Sequence, residues 1–374
     1  MRGLRRVAVL AAVVVVGLAA AACLPSRLQE SVRVLADIEA GDGPSRLKAA
    51  TPAPQRTAIT YAANDNTWQA DLYQPGEPAQ GGIVLVPGLT PKGRDDARLV
   101  AFAMTLARAR FTVLVPELER MRALTVTADD ARPIADAIVH LTALRDGKPV
   151  GIAAVSFGVG PAVLALQDPE TEGHVRFAMT IGGYYDLADL VTFVTTGAYR
   201  DAEGTGWRRR PPKHYGKWIF ILSNAPRVAD INDRVLLTEM ARRRLEDATA
   251  PVDDLAAGLG AEGQAVYRLL INDDPERAPA LLAALPPAMT SEIDRLDLKR
   301  HDLSRLAVDF VIVHDRNDRI IPETHALALA AALPPGRARV LLIDSLDHAQ
   351  PKPTDLFDGL KLLEAIYTVL GMRE

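Results

Sequence analysis

The chain is 374 residues long, 48% apolar and 24% charged, with a formal net charge of −4. A chain of this length can bury a core without covalent staples, and with Cys23 as its only cysteine it has no internal disulfide. The near balance of charge leaves no basic stripe for nucleic acid, and the seven histidines form no H-x-x-x-H or H-E-x-x-H pair, so neither nucleic-acid binding nor metal catalysis is expected and no cofactor is implied.

Arg2, Arg5 and Arg6 precede an apolar run from Val7 to Ala22. A spanning helix needs about 20 apolar residues, so residues 1–22 fit a signal peptide better. The run ends in Ala20-Ala21-Ala22-Cys23, and a cysteine directly behind small residues resembles a bacterial lipobox. That resemblance implies diacylation of Cys23, export, and attachment to a membrane of the cell envelope through the N-terminal lipid. Residues 23–54 read as a tether: apolar residues at helical spacing from Leu28 to Ala40 (Leu28, Val32, Leu35, Ile38), then the breakers Gly41-Asp42-Gly43-Pro44 and Thr51-Pro52-Ala53-Pro54.

Strands are expected at Thr57–Ala63, Thr67–Gln74 and Gly82–Val86, the last an apolar run suited to burial on both faces. It leads into Pro87-Gly88-Leu89-Thr90-Pro91. A helix over Asp95–Ala109, a strand at Phe111–Val115 and a helix over Thr127–Arg145 follow. Next, the run Val150-Gly151-Ile152-Ala153-Ala154-Val155-Ser156-Phe157-Gly158 passes from strand pattern to helix pattern at Ser156, with Pro161 in the first helical turn. A sharp strand-to-helix turn carries a serine oxygen clear of the sheet, where a base can take its proton. The usual form is G-x-S-x-G; here Ala154 stands at the first glycine.

A strand over Arg176–Gly182 ends at Gly183-Tyr184-Tyr185-Asp186, and Asp186 is placed either to cap a helix or to serve as an acid. Farther on, the apolar strand Val308–Val313 runs into His314-Asp315-Arg316-Asn317-Asp318, and the strand Arg339–Asp344 leads to His348. Serine, acid and histidine thus occur in that order, each just past a strand. This order, with the His-Asp-x-x-Asp stretch, resembles the α/β-hydrolase superfamily over nearly all of the mature length. The resemblance implies a mostly parallel central sheet flanked by helices, divided here into core segments 55–186 and 303–374.

It further implies a triad of Ser156, Asp318 and His348. The oxyanion hole would use the amides of Phe157 and Leu89, with Thr90 the neighbour that could replace the latter. Asp186 and Asp315 are the rival acids, and His314 and His325 the rival histidines. Between the core segments, residues 187–302 break the strand-helix alternation with helical patterns at Val228–Ala248 and Pro251–Ile271 and an Ala/Leu/Pro-rich stretch around Pro279–Met289. An insertion of about 115 residues exceeds any ordinary loop and is expected to form a helical cap. The basic and aromatic run Trp207–Trp218 within it could meet a membrane surface, but reads better as a solvated loop or as cap packing.

The function expected is a carboxylesterase-like serine hydrolase acting on a small-molecule ester or thioester with a short to medium acyl chain. The alternatives are a prolyl-oligopeptidase-like peptidase and a catalytically silent envelope binding protein.

Overall fold

The computed structural model describes residues 26–344, 346–347, 350–351 and 356–373. Residues 1–22, Cys23 and His348 therefore lie outside the described residues, and with them the signal peptide, the lipidation site and the expected catalytic histidine.

The strands are β1 Gln55–Ala63, β2 Asn66–Gln74, β3 Gly81–Val86, β4 Phe111–Pro116, β5 Val150–Val155, β6 Val175–Ile181, β7 Ala198–Arg200, β8 Trp207–Arg209, β9 Asp309–Asp315, β10 Ala338–Ile343 and the short antiparallel pair β11 Leu346–Asp347 and β12 Gln350–Pro351. Eight of them form one sheet in the order β1-β2-β4-β3-β5-β6-β9-β10. The β1–β2 and β2–β4 pairs are antiparallel and the rest parallel. The apolar runs of β3, β5 and β9 lack alternation because both faces are covered. Ile83, Leu85 and Val113 face one core cluster, while Val84, Val86, Leu114 and Ile152 face the other.

The helices are α1 Ser26–Ala40, α2 Arg46–Ala50, α3 Ala97–Arg108, α4 Glu119–Arg122, α5 Ala131–Leu144, α6 Val159–Ala165, α7 Leu187–Thr196, α8 Tyr215–Asn224, α9 Ile231–Glu246, α10 Asp253–Ala256, α11 Ala261–Leu270, α12 Ala278–Ala283, α13 Pro287–Leu296, α14 Thr324–Ala332 and α15 Leu356–Gly371. Helices α7 to α13 and the β7–β8 hairpin make up the insertion between β6 and β9. The helix expected over Pro251–Ile271 is two, α10 and α11. Gly258 and Gly260 interrupt it, and the buried Asp233 carboxylate accepts the Gly260 and Gly263 amides at 2.5 and 2.7 Å, so that α11 starts afresh.

The amphipathic helix α1 forms as its spacing predicts, but it lies against the body of the fold where a tether was expected. Val34 of α1 and Leu47 of α2 are buried in the cluster that also holds Leu106 of α3 and Val369 of α15. An apolar stripe has the same spacing in a tether and in a packed helix, so the pattern alone did not distinguish them.

Candidate active site

The chain runs from β3 to β4 on one side of the sheet and from β5 to β6 on the other, so a crevice opens at the carboxyl ends of the adjacent β3 and β5. Ser156 stands there, directly after β5, with φ of 54°. A serine held in the left-handed region costs roughly 1–3 kcal/mol and persists only where its surroundings enforce it. They do so by close approach. A Cβ on Gly158 would lie 2.2 Å from the Pro87 carbonyl oxygen, and one on Gly88 would lie 3.3 Å from the Ser156 Cβ. The loop after β3 is thus pressed against the turn that carries the serine. Ala154, at the position usually glycine, is buried in β5.

Ser156, Phe157, Leu89, Thr90 and Ile320 line one cavity of about 680 Å³. No backbone carbonyl among the described residues engages the amide of Leu89 or of Thr90. From the insertion, Tyr215, Gly216 and Ile219 reach the same cavity; the first two fall in the run Trp207–Trp218, which the sequence marked as a loop or cap packing but not as cavity lining.

Asp318 is buried two residues before Ile320. Its Oδ1 accepts the Ile320 and Ile321 amides at 2.7 and 3.1 Å, which fixes the carboxylate within its own loop. His314 is fully buried beneath this loop: its Nε2 donates to the Ile321 carbonyl at 2.8 Å and lies 3.6 Å from Asp318 Oδ2. Asp315 ends β9, also buried, with Oδ1 accepting the Asn317 amide at 2.8 Å.

From above, Arg210 clamps the loop, with Nη1 donating to the Asp318 carbonyl and Nη2 to the Arg316 carbonyl, both at 2.8 Å. Glu323 holds the same guanidinium at 3.0 Å, and the Tyr199 ring lies 5.2 Å beneath it. Lys213 N donates to the Arg319 carbonyl, and Arg319 Nε to the Pro211 carbonyl. The basic run of the insertion is therefore packed on the loop that carries Asp318, with Arg210 bridging two of its carbonyls, a contact that the sequence did not reveal.

Asp186 caps α7, its Oδ1 accepting the Asp189 amide at 2.8 Å, and pairs with Lys299 at 2.7 Å. Burial pushes its pKa up, but the Lys299 and Asp189 hydrogen bonds outweigh that and leave it below the usual carboxylate range. His325 is buried beneath it, with Nδ1 accepting the Tyr185 and Asp186 amides at 3.3 Å. Burial pushes its pKa down to about 4, so it is a neutral core histidine at pH 7. Asp189, 3.7 Å from its Nε2, is pushed up to about 6 by burial and then by the Asp186 charge.

No family model and no curated protein matches the chain. Among solved structures, a candidate hydrolase of Legionella pneumophila matches over 93% of this chain and 96% of its own, at 12% identity and a TM-score of 0.54. The acylaminoacyl peptidase of Pyrococcus horikoshii is similar at 10% identity and a TM-score of 0.44, over 86% of this chain, which spans only 42% of that one. A dienelactone hydrolase of Anabaena variabilis is similar at 14% identity and a TM-score of 0.42, over 86% of this chain and 97% of its own. Likeness at such identity speaks to the fold alone. The strand order, the turn after β5 and the end-to-end match to the Legionella structure give this chain the α/β-hydrolase fold.

Proposed function

We propose that the protein is a serine hydrolase that cleaves a carboxylic ester or thioester through Ser156. The observation that carries this reading is the strained Ser156, held left-handed at a strand-helix turn and opening into a largely apolar cavity of about 680 Å³. Strain at a buried serine that faces a cavity serves no packing purpose, whereas presentation of a nucleophile requires it.

In the reaction, Ser156 Oγ attacks the acyl carbon while His348 takes the hydroxyl proton, and Asp318 orients His348 and stabilises its imidazolium. The amides of Phe157 and Leu89 hold the developing oxyanion. As the tetrahedral intermediate collapses, His348 returns the proton to the departing alcohol or thiol. Water then attacks the acyl-enzyme with His348 as base and releases the acid. The substrate is an ester or thioester with an apolar acyl group, and Cys23 attaches the enzyme to an envelope membrane.

A fluorophosphonate probe tests the reading. It labels the native protein and fails to label Ser156→Ala, and p-nitrophenyl esters are turned over by the first alone. Labelling that survives Ser156→Ala moves the nucleophile elsewhere; labelling with turnover of a peptide amide but of no ester favours the peptidase, and no labelling at all leaves a binding protein.

A further inference from the structure

The cavity that holds Ser156 does not stop at the insertion. Met179, Ile181 and Val313, at the carboxyl ends of β6, β6 and β9, also line it, and so do Phe102 of α3 and Leu362 of α15. Leu35 and Ile38 of α1 line it as well, although α1 precedes the first strand of the fold. Leu35, Ile38, Phe102 and Leu362 are only half-buried, packed at the margin of the core cluster with one side open to this space. A core would have closed on such groups, since an apolar void forfeits contacts on its empty side.

Helix α1 is fixed in place by polar contacts, of which the Asp37–Thr105 pair lies at the cavity wall itself, beside Leu35 and Ile38. The buried Asp37 carboxylate accepts from Thr105 Oγ1 at 2.6 Å and from the Ser45 hydroxyl, and pairs with Lys48 at 3.0 Å. Lys48 Nζ also donates to the Gly41 and Gly43 carbonyls at 2.6 and 2.8 Å, which ties the end of α1 to α2. At the other end, Glu30 pairs with Arg373 at 2.5 Å, and the Arg27 guanidinium lies 5.0 Å over the Tyr367 ring of α15. A helix pinned at both ends beside an apolar void is a rigid wall.

Resting on the reading of Ser156 as the acyl acceptor, we infer that α1 is the end wall of the acyl site. An unbranched acyl chain with its carbonyl at Ser156 passes between α3 and α15 and sets its methyl end against Leu35 and Ile38. The preferred substrates are then straight-chain esters or thioesters of medium to long acyl groups, and the helix ahead of the catalytic fold measures their length. A volume of about 680 Å³ is within the range of small-molecule sites, roughly 300–1,000 Å³, and is large for a short acyl group.

Ile38→Trp and Ile38→Ala test this with a series of p-nitrophenyl esters from butanoate to hexadecanoate. In the native enzyme kcat/KM rises by up to about fourfold for each added methylene until the chain meets α1, then falls. In Ile38→Trp the maximum moves to shorter esters, and the ratio of dodecanoate to butanoate kcat/KM drops at least tenfold. In Ile38→Ala the maximum moves to longer ones. A maximum that stays put in both variants overturns the inference.

Titration of dodecanoate into Ser156→Ala, with and without Ile38→Trp, reads the wall without turnover. The added tryptophan should weaken binding at least tenfold. Equal affinities, or no binding to Ser156→Ala, refute the wall, whereas weakened binding in a protein that hydrolyses no ester refutes only the hydrolase reading.

Discussion

Arg210→Ala removes the clamp over the acid loop and leaves every residue that lines the cavity in place. The guanidinium donates to two carbonyls at 2.8 Å and pairs with Glu323 at 3.0 Å, and its side chain is 18% exposed. Hydrogen bonds from a charged donor are worth roughly 1.5–3 kcal/mol each, and an ion pair broken on one side leaves a nearly buried carboxylate uncompensated. Water reaching the partly open site returns some of this, so a stability loss of about 2–4 kcal/mol is expected, or roughly 3–5 °C in Tm for a chain of this length. The effect on chemistry differs in kind. Asp318 keeps its carboxylate but loses the brace on its own carbonyl, and misplacement by about 1 Å costs on the order of 100-fold in rate. The expected result is therefore a kcat lowered 10- to 100-fold with KM within about threefold, less severe than Asp318→Asn at about 10⁴-fold. Arg210→Lys restores a charge for Glu323 but not the fork that spans both carbonyls, and recovers only part of the rate. The assay is steady-state ester hydrolysis well below Tm, beside thermal unfolding. A lowered Tm with kcat unchanged would refute the positioning role and weaken the assignment of Asp318.

Gly158→Ala puts a methyl group 2.2 Å from the Pro87 oxygen, and because both partners are backbone the β3 loop must move with its Leu89 amide; hydrolysis should fall at least about 100-fold, with about 2–4 kcal/mol lost in urea unfolding. Ser156→Gly should end probe labelling while gaining about 1 kcal/mol of stability, since glycine adopts φ of 54° without strain, whereas Ser156→Ala ends labelling with no such gain. As pH falls from 6 to 4, the folded protein takes a proton at Asp189, whose pKa is raised to about 6, while the unfolded chain takes one at the residue-325 histidine, whose folded pKa is depressed to about 4. The two contributions oppose, because a raised carboxyl loses stability as pH rises and a depressed histidine loses it as pH falls. Asp189→Asn leaves the histidine alone, and its stability relative to the native protein should drop by about 1.4 kcal/mol per unit on acidification from pH 6.5 to 4, read from urea midpoints.

What the sequence made legible was whatever repeats at short range. The buried strands β3, β5 and β9 announce themselves as apolar runs, and the turn at Ser156 by the abrupt change of period beside Gly158. The helix-cap role of Asp186 was open in the sequence as one of two alternatives, and the Asp189 amide on its Oδ1 gives the cap. What stayed hidden joins residues far apart. Arg210 lies 108 residues before Asp318, and nothing in a Trp-Arg-Arg-Arg run says which guanidinium turns inward. The breaks at Gly258 and Gly260 were visible as glycines, but only the Asp233 carboxylate, 27 residues upstream of Gly260, turns them into a helix start.

The case of α1 shows why such links matter for chemistry. Its stripe of Leu28, Val32, Leu35 and Ile38 gives a face, yet spacing cannot say whether that face meets lipid, solvent or sheet. The buried Asp37 breaks the apolar pattern at the point where the answer lies. A carboxylate inside a helix that packs on a core is costly unless it is satisfied, and Thr105, Ser45 and Lys48 satisfy it from two other elements. Burial pushes its pKa up, and these hydrogen bonds together bring it below the ordinary range, so the latch is charged at neutral pH. An apolar residue at that position would pack as well, but would fix neither the rotation of α1 nor the setting of Leu35 and Ile38 toward the cavity. A group so placed trades stability for orientation, and orientation is what a wall that measures an acyl chain requires.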